Sequence, residues 1–378
     1  MLIHLIAGSL FLYLLFRFII PLPVSRKAKY AAGFLLLLAS QQHLITRMIF
    51  GSLSSPELPP AAIAFQGWLF ISLLLLFLLV LVRDMIMLAA WLVRRRPGKP
   101  EHGFSQGRRD ALICGLAFIP SAYGVYKGVS LPEAHSLEAR LPNLPRQLDG
   151  LSIVQLTDLH VSPLFRGEWV QAVVDRVNTL TPDLILFTGD MVDGLPARRA
   201  TAVAPLKNLR ARYGKYACVG NHEYYSDYSG WMKVFPQLGI SMLRNSHSVL
   251  KIQDRDVVVA GLTDIVAERY GLPLPDCTAA LSGAPEDAFR ILLEHRPGAA
   301  AKNATAGIDL QLSGHTHGGQ IIGLNPIVAS FNNNYLYGWY KVEKMLLYVS
   351  SGAGLWNGFP VRLGVPSEIP RIVLRSAA

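Results

Sequence analysis

From residue 151 onward the chain repeats one local pattern, a short apolar, strand-like run that ends in a polar cluster. Residues 151–156 lead to Asp158-Leu159-His160, and residues 183–187 to Gly189-Asp190. Residues 216–219 lead to Gly220-Asn221-His222-Glu223, residues 290–293 to His295, and residues 308–312 to Gly314-His315-Thr316-His317. Five of the ten histidines fall inside these clusters. A glycine just ahead of a polar residue permits a sharp strand-to-loop turn, so the clusters can crowd one rim of a sheet. Residues 168–180 carry Trp169, Val173, Val177 and Leu180 at helical spacing, and residues 199–212 read as a second helix. Residues 249–252 and 257–261 form a hairpin across 253–256, and residues 345–350 form a late strand. Strands that alternate with helices, followed by a strand-rich end, call for two sheets face to face with helices outside.

The polar clusters have the chemistry of a metal site. Asp, His and Asn offer the oxygen and nitrogen donors that borderline divalent ions take. Two such ions, roughly 3.5–4 Å apart, need about seven or eight donors with one carboxylate shared. A centre of this kind suits a phosphoester, whose negative charge must be neutralised and whose hydrolysis needs a hydroxide at neutral pH. A nearby imidazole can supply a proton because its pKa lies near working pH.

The five clusters and their order resemble the calcineurin-like metallophosphoesterase superfamily, in particular its bacterial membrane-anchored members, over roughly residues 151–365. The resemblance implies an α+β fold, the four-layer αββα sandwich. It implies that Asp158, His160, Asp190 and His317 hold a first metal, and that Asp190, Asn221, His295 and His315 hold a second. Asp190 would bridge the two ions. His222 would be no ligand, but would contact the phosphate and protonate the leaving oxygen. The cofactors so implied are two divalent metal ions (Mn, Fe or Zn), since a mixed Asp/His/Asn set accepts any of them. The reaction implied is hydrolysis of a phosphodiester, phosphomonoester or pyrophosphate bond by a metal-activated hydroxide.

The first 127 residues are of another kind. Four apolar stretches, about 2–22, 30–50, 61–83 and 110–127, predict an α-helical transmembrane region of about four helices. The second contains Gln41, Gln42, His43 and Arg47, and the fourth is short and contains Pro120. The domain organisation expected is therefore 1–127 as membrane anchor, 128–150 as a linker rich in Pro and Leu, and 151–378 as catalytic domain. Charge supports that division. Residues 1–127 hold 13 Lys/Arg against 4 Asp/Glu, whereas residues 128–378 hold 23 against 22. The net charge of +10 thus belongs to the membrane half, and no nucleic-acid partner is indicated. Cys114, Cys218 and Cys277 fit neither a disulfide framework nor a zinc motif.

Basic loops set the expected orientation. Arg26, Lys27 and Lys29 follow the first stretch, and Arg94, Arg95, Arg96, Lys99, Arg108 and Arg109 follow the third, whereas 51–60 has only Glu57. The positive-inside rule puts both basic loops in the cytoplasm. The catalytic domain is then extracytoplasmic on an inner-membrane, multi-pass protein, and the partner expected is an envelope or lipid-linked phosphoester substrate. Two alternatives stay open: a cytoplasm-facing UDP-2,3-diacylglucosamine pyrophosphohydrolase, and a non-catalytic membrane sensor or transporter whose phosphoesterase-like domain binds a ligand. Arg17, His43 and Arg47 are the intramembrane polar residues that a transport role would use. Arg362 is a candidate phosphate contact, and the aromatic stretch 331–340 a candidate pocket wall.

Overall fold

The structure is a computed structural model that describes residues 2–51, 56–93 and 105–376. Arg94, Arg95, Arg96 and Lys99 lie outside the described residues. The chain forms two compact units, Met1–Tyr126 with Asn357–Val361, and Lys127–Trp356 with Arg362–Ala378.

The first unit is helical, with α1 (Leu2–Leu14), α2 (Arg26–Phe50), α3 (Pro60–Val93) and α4 (Gln106–Val129). Ser25 caps α2 by accepting from the Ala28 N–H, and Gly51 closes it in a left-handed conformation. Leu14, Phe18, Leu36, Leu73, Val80 and Ala117 form its core. Among the described residues, α3 and α4 are long and apolar enough to cross a membrane, two helices where about four spans were expected. The apolar helix Ile6–Ile19 is shorter than a span. The composition of α2 is diluted by Gln41, Gln42, His43 and Arg47. The fourth stretch gains its length because the helix runs on to Val129 through Pro120. Polar groups in this unit find partners internally. Gln42 Nε2 donates to Gln66 O at 2.9 Å, and Gln66 Nε2 to Thr46 Oγ1 at 2.8 Å. Arg17 pairs with Asp84 at 2.7 Å, and His43 Nε2 lies 3.0 Å from Gly358 O.

The second unit is built on two six-stranded sheets. In chain order the strands are β1 (Glu133–Leu141), β2 (Ser152–Leu156), β3 (Leu184–Thr188), β4 (Lys215–Cys218), β5 (Ile240–Met242), β6 (Ser246–Ile252), β7 (Arg255–Gly261), β8 (Phe289–Leu293), β9 (Leu310–Ser313), β10 (Gly338–Val342), β11 (Met345–Val349) and β12 (Glu368–Ser376). The first sheet runs β1-β12-β2-β3-β4-β5 and the second β10-β11-β9-β8-β7-β6. Strands β2 to β5 are mutually parallel, as are β7, β8, β9 and β11. Their side chains alternate between two buried faces, as central parallel strands do. Ile153, Leu184 and Leu186 meet Val257, Ile291 and Leu312 between the sheets. Val154, Ile185 and Phe187 face outward under α5 (Gly167–Thr179), α6 (Pro196–Val203) and, beyond α7 (Asn221–Tyr225), α8 (Tyr228–Gln237). Val258, Leu292 and Leu347 face the other way, under α9 (Cys277–Leu281) and α10 (Ala300–Ala304); α11 (Asn325–Ser330) follows.

The stretch 128–150, expected as a linker, contains β1, which pairs in parallel with β12 from Glu133↔Glu368 to Leu141↔Ser376. Its polar, half-exposed sequence hides it, because its hydrogen-bond partner lies at the far end of the chain. The helix expected over 199–212 starts earlier and gives way at Ala204 to a tight turn containing Pro205. The hairpin forms as expected, with Gln253 and Asp254 both at positive φ in the turn.

Candidate metal centre

Strands β2, β3, β4, β7, β8 and β9 each deliver a polar group of this centre just beyond their C-terminal ends. Asp158 and His160 follow β2, Asp190 follows β3, and Asn221 and His222 open α7 after β4. Asp264 follows β7, His295 follows β8, and His315 and His317 follow β9. The turns are tight. Five candidate ligands, Asp158, His160, Asp190, His315 and His317, have left-handed backbones with φ between 45° and 70°. Non-glycine residues held there signal a functional constraint. At Gly220 a Cβ would come within 2.2 Å of Asp190 Oδ1, and at Gly314 within 2.3 Å of Asp158 Oδ2. The glycines are therefore needed for close approach.

The seven ligands expected from sequence and His222 converge, and apart from His315 all eight are buried. Three groups of donor atoms form: Asp158 with His160 and His317, Asp190 with His295 and His315, and His160 with Asp193 and His222. His317 Nε2 lies 3.4 Å from Asp158 Oδ1, and His295 Nε2 lies 3.1 Å from Asp190 Oδ2. His160 Nε2 is 3.8 Å from both Asp158 Oδ1 and Asp190 Oδ2, and it is buried with no hydrogen-bond partner. Donors spaced 3–4 Å apart suit a cation coordinated at about 2.1 Å. The orphaned His160 nitrogen between two carboxylates therefore fits a metal, and the Asp/His/Asn donor set fits divalent ions.

Groups that the sequence did not single out hold the donors in place. Asp193 Oδ1 is 2.5 Å from His222 Nδ1, and its Oδ2 lies 3.2 Å from His160 Nδ1, so the Nε2 atoms of both rings face the centre. Glu223 is fully buried; its carboxylate accepts from the N–H groups of Asp190 (3.0 Å), Met191 (2.6 Å) and Gly220 (2.7 Å). It thereby ties the β3 loop to the β4 loop. His295 Nδ1 lies 2.8 Å from Thr188 O, which directs Nε2 at Asp190. Arg296 donates through Nε to Asp264 at 2.8 Å and through Nη2 to Asn221 Oδ1 at 2.8 Å, and its Nη1 lies 2.8 Å from His315 Nε2. The signal for Glu223 was present, since it sits inside the cluster 220–223, whereas Asp193 lies three residues past the Gly189-Asp190 cluster and went unread.

The buried carboxylates shift the imidazoles around them. Burial pulls His295 down, but Asp190 and Asp158 outweigh it and hold the imidazole up at about 10. Burial likewise lowers His222, and Asp193 with Asp190 outweighs it to give about 9. Burial, and then the charge of His295, pushes His315 well down; for His317 it is burial and then His160.

Arg362 is a correction. Expected as a phosphate contact, it is buried and donates to the carbonyl oxygens of Ser351 (2.7 Å), Gly352 (3.1 Å) and Gly354 (3.1 Å). It pins the loop after β11. In the aromatic stretch, Tyr335 and Tyr340 pack edge to face, and Trp339 packs on Tyr348, whereas Phe331 and Tyr337 are exposed.

Comparison with known proteins adds the following. Residues 151–319 match the family described as Calcineurin-like phosphoesterase. The chain is 34% identical over 313 residues to "Transmembrane protein with metallophosphoesterase domain" of Danio rerio, covering 80% of this chain and 71% of that protein. The Bos taurus protein of the same name is 36% identical over 319 residues, covering 81% and 71%. "Uncharacterized metallophosphoesterase YkuE" of Bacillus subtilis is 33% identical over 289 residues, covering 72% of this chain and 96% of that one.

Proposed function

The chain belongs to the calcineurin-like phosphoesterase family, and we propose that it is a membrane-anchored phosphoesterase whose site holds two divalent ions and acts on a lipid-linked envelope substrate. The observation that carries the two-ion reading is the pairing of donor groups on either side of Asp190. Asp158, His160 and His317 lie on one side, His295 and His315 on the other. Asp158, His160, Asp190 and His317 would hold the first ion, and Asp190, Asn221, His295 and His315 the second. Ions held there neutralise phosphate charge and activate water.

The chain's own residues do the rest. Asp193 holds Nδ1 of His222, which leaves Nε2 directed into the centre, 4.0 Å from Asp190 Oδ2. That atom is positioned to donate its proton to the leaving oxygen. Glu223 fixes the backbone of Asp190 against that of Gly220, so the shared carboxylate stays in place.

Membrane anchoring is supported by the helical unit. Its core is apolar, and its helices also turn large apolar side chains outward, among them Phe34, Leu35, Met48, Phe65 and Ile119. Hydrocarbon would cover these, while Gln42 of α2 and Gln66 of α3 are hydrogen-bonded inside the unit. The basic loops favour four crossings with the catalytic unit outside the cytoplasm.

The test is hydrolysis of bis-p-nitrophenyl phosphate by the purified full chain. Release of p-nitrophenol should require Mn2+ or a comparable ion and fall at least a hundredfold in Asp190→Ala and His222→Ala. A folded, metal-loaded chain inert on a broad phosphoester panel would refute it.

A further inference from the structure

A cavity of about 580 Å³ opens beside the metal centre, lined by Leu262, Ile265, Leu274, Pro275, Cys277 and Ala299 among others. Its volume is within the range of small-molecule sites, roughly 300–1,000 Å³. Arg296 joins the two places: it lines the cavity, and its guanidinium reaches Asn221 and His315 on the other side. A chain joined to a phosphate at the centre would reach this opening past Arg296.

The lining tells what those atoms are. Its buried polar groups are already spent on one another. Glu294 accepts from Asn303 (2.6 Å) and Gln311 (3.1 Å). Asp264 accepts from Arg296 and from the Val266 N–H, and Thr263 donates to Asn245. A sugar or a base would need unsatisfied donors and acceptors, and among the lining side chains these come chiefly from the exposed Glu268 and Lys302 at the mouth. By contrast, Ile265 is 60% exposed and Leu274 46% exposed at the same opening, large apolar surface that a hydrocarbon would cover.

We propose that this cavity receives the hydrocarbon portion of the substrate, an acyl or prenyl chain joined to the phosphate, with Arg296 standing at the junction. The inference rests on the phosphoesterase reading and assigns a place to the hydrocarbon part of its substrate. It is distinct from membrane anchoring, because it places a hydrocarbon subsite inside the phosphoesterase unit itself.

The test uses the full chain in lipid nanodiscs with Mn2+ and a series of alkyl p-nitrophenyl phosphates from methyl to hexyl. Each methylene buried should raise kcat/KM about fourfold, so methyl to hexyl spans up to about a thousandfold. In Ala299→Leu, or in Cys277→Phe should that variant fail to fold, the hexyl-to-methyl ratio should drop to within about threefold of one. A flat series in the wild type overturns the proposal. So does a gradient that both cavity variants retain, since that is partition into the bilayer. So does a thymidine 5′-p-nitrophenyl phosphate that outruns the hexyl ester. If no ester is hydrolysed, the phosphoesterase reading has failed. Calorimetric binding of hexylphosphonate then decides the cavity alone: binding weakened by Ala299→Leu supports it, and no binding overturns it.

Discussion

Glu223→Gln keeps the size and shape of a buried side chain and removes one of its two acceptor atoms. In the native site the carboxylate takes three backbone N–H groups, from Asp190, Met191 and Gly220. The amide can keep two of them at best. The better rotamer retains Asp190 and Gly220 and sets its NH2 against the Met191 N–H, which is left without an acceptor. Hydrogen bonds to a charged acceptor contribute about 1.5–3 kcal/mol each and neutral ones about 0.5–1.5 kcal/mol. Three of the first kind become two of the second, a gross loss of about 4 kcal/mol. Part of this is offset, because burial and the charge of Asp190 already disfavour the carboxylate and push its pKa up to about 7. The net expectation is a local loss of about 2 kcal/mol, or some thirtyfold in opening. Hydrogen exchange measured on the peptide spanning the β3 loop reads this directly. Exchange there should speed up by tens of fold, while β12 is unaffected, and Mn2+ should bind more weakly because Asp190 is no longer fixed. Exchange within about threefold of wild type would refute the account of Glu223 as the tie between the loops.

Two further outcomes follow from the geometry. Gly220→Ala should abolish metal binding with the chain still folded, measured by metal content and circular dichroism. The reason is steric, since φ at Gly220 is −103° and any residue can adopt it, yet the added Cβ would lie 2.2 Å from Asp190 Oδ1. The pair His135–Glu368, 3.2 Å apart across β1 and β12, should make stability pH-dependent. Glu368 raises His135 above 6.5, so that contribution is full below 6.5 and fades as pH rises through the folded value. Glu368 is raised by burial but held below 4.5 by His135, Ser350 and the Ser351 N–H, so its contribution is lost as pH falls below 4.5. His135→Gln should therefore cost about 0.2–1 kcal/mol near pH 5.5 and less at pH 8.5, by urea unfolding. Equal costs at the two pH values would contradict the assignment.

The central strands were legible because each is a run buried on both faces that stops at a polar cluster, and the candidate ligands stood out because the clusters have metal-donor chemistry. Strand β1 was not, for a reason of context. Glu133–Leu141 is too polar to stand out, and it becomes a strand only through a partner at the other end of the chain. Asp264 obeyed the same rule as the ligands, a polar residue just past the apolar run of β7, and was readable on that ground. Arg296 and Arg362 mark the limit of one-dimensional reading. An arginine's role depends on which acceptors surround it: Arg362 faces carbonyl oxygens and clamps a loop, while Arg296 faces Asn221, His315 and Asp264 at the rim of the centre. Periodicity carries no information about either. The spans illustrate a related point. The glutamines of α2, Gln41 and Gln42, are internally bonded, so composition alone understates how well the helix would sit among apolar surroundings.

The most direct test of the two-ion centre is metal content per chain, measured on the purified full-length protein after equilibration with Mn2+ and desalting. The account predicts two ions in the wild type, one in His317→Ala, one in His315→Ala, and fewer than one in Asp190→Ala, because only Asp190 serves both positions. A wild-type chain that retains one ion or none, or an Asp190→Ala chain that still retains two, would contradict it.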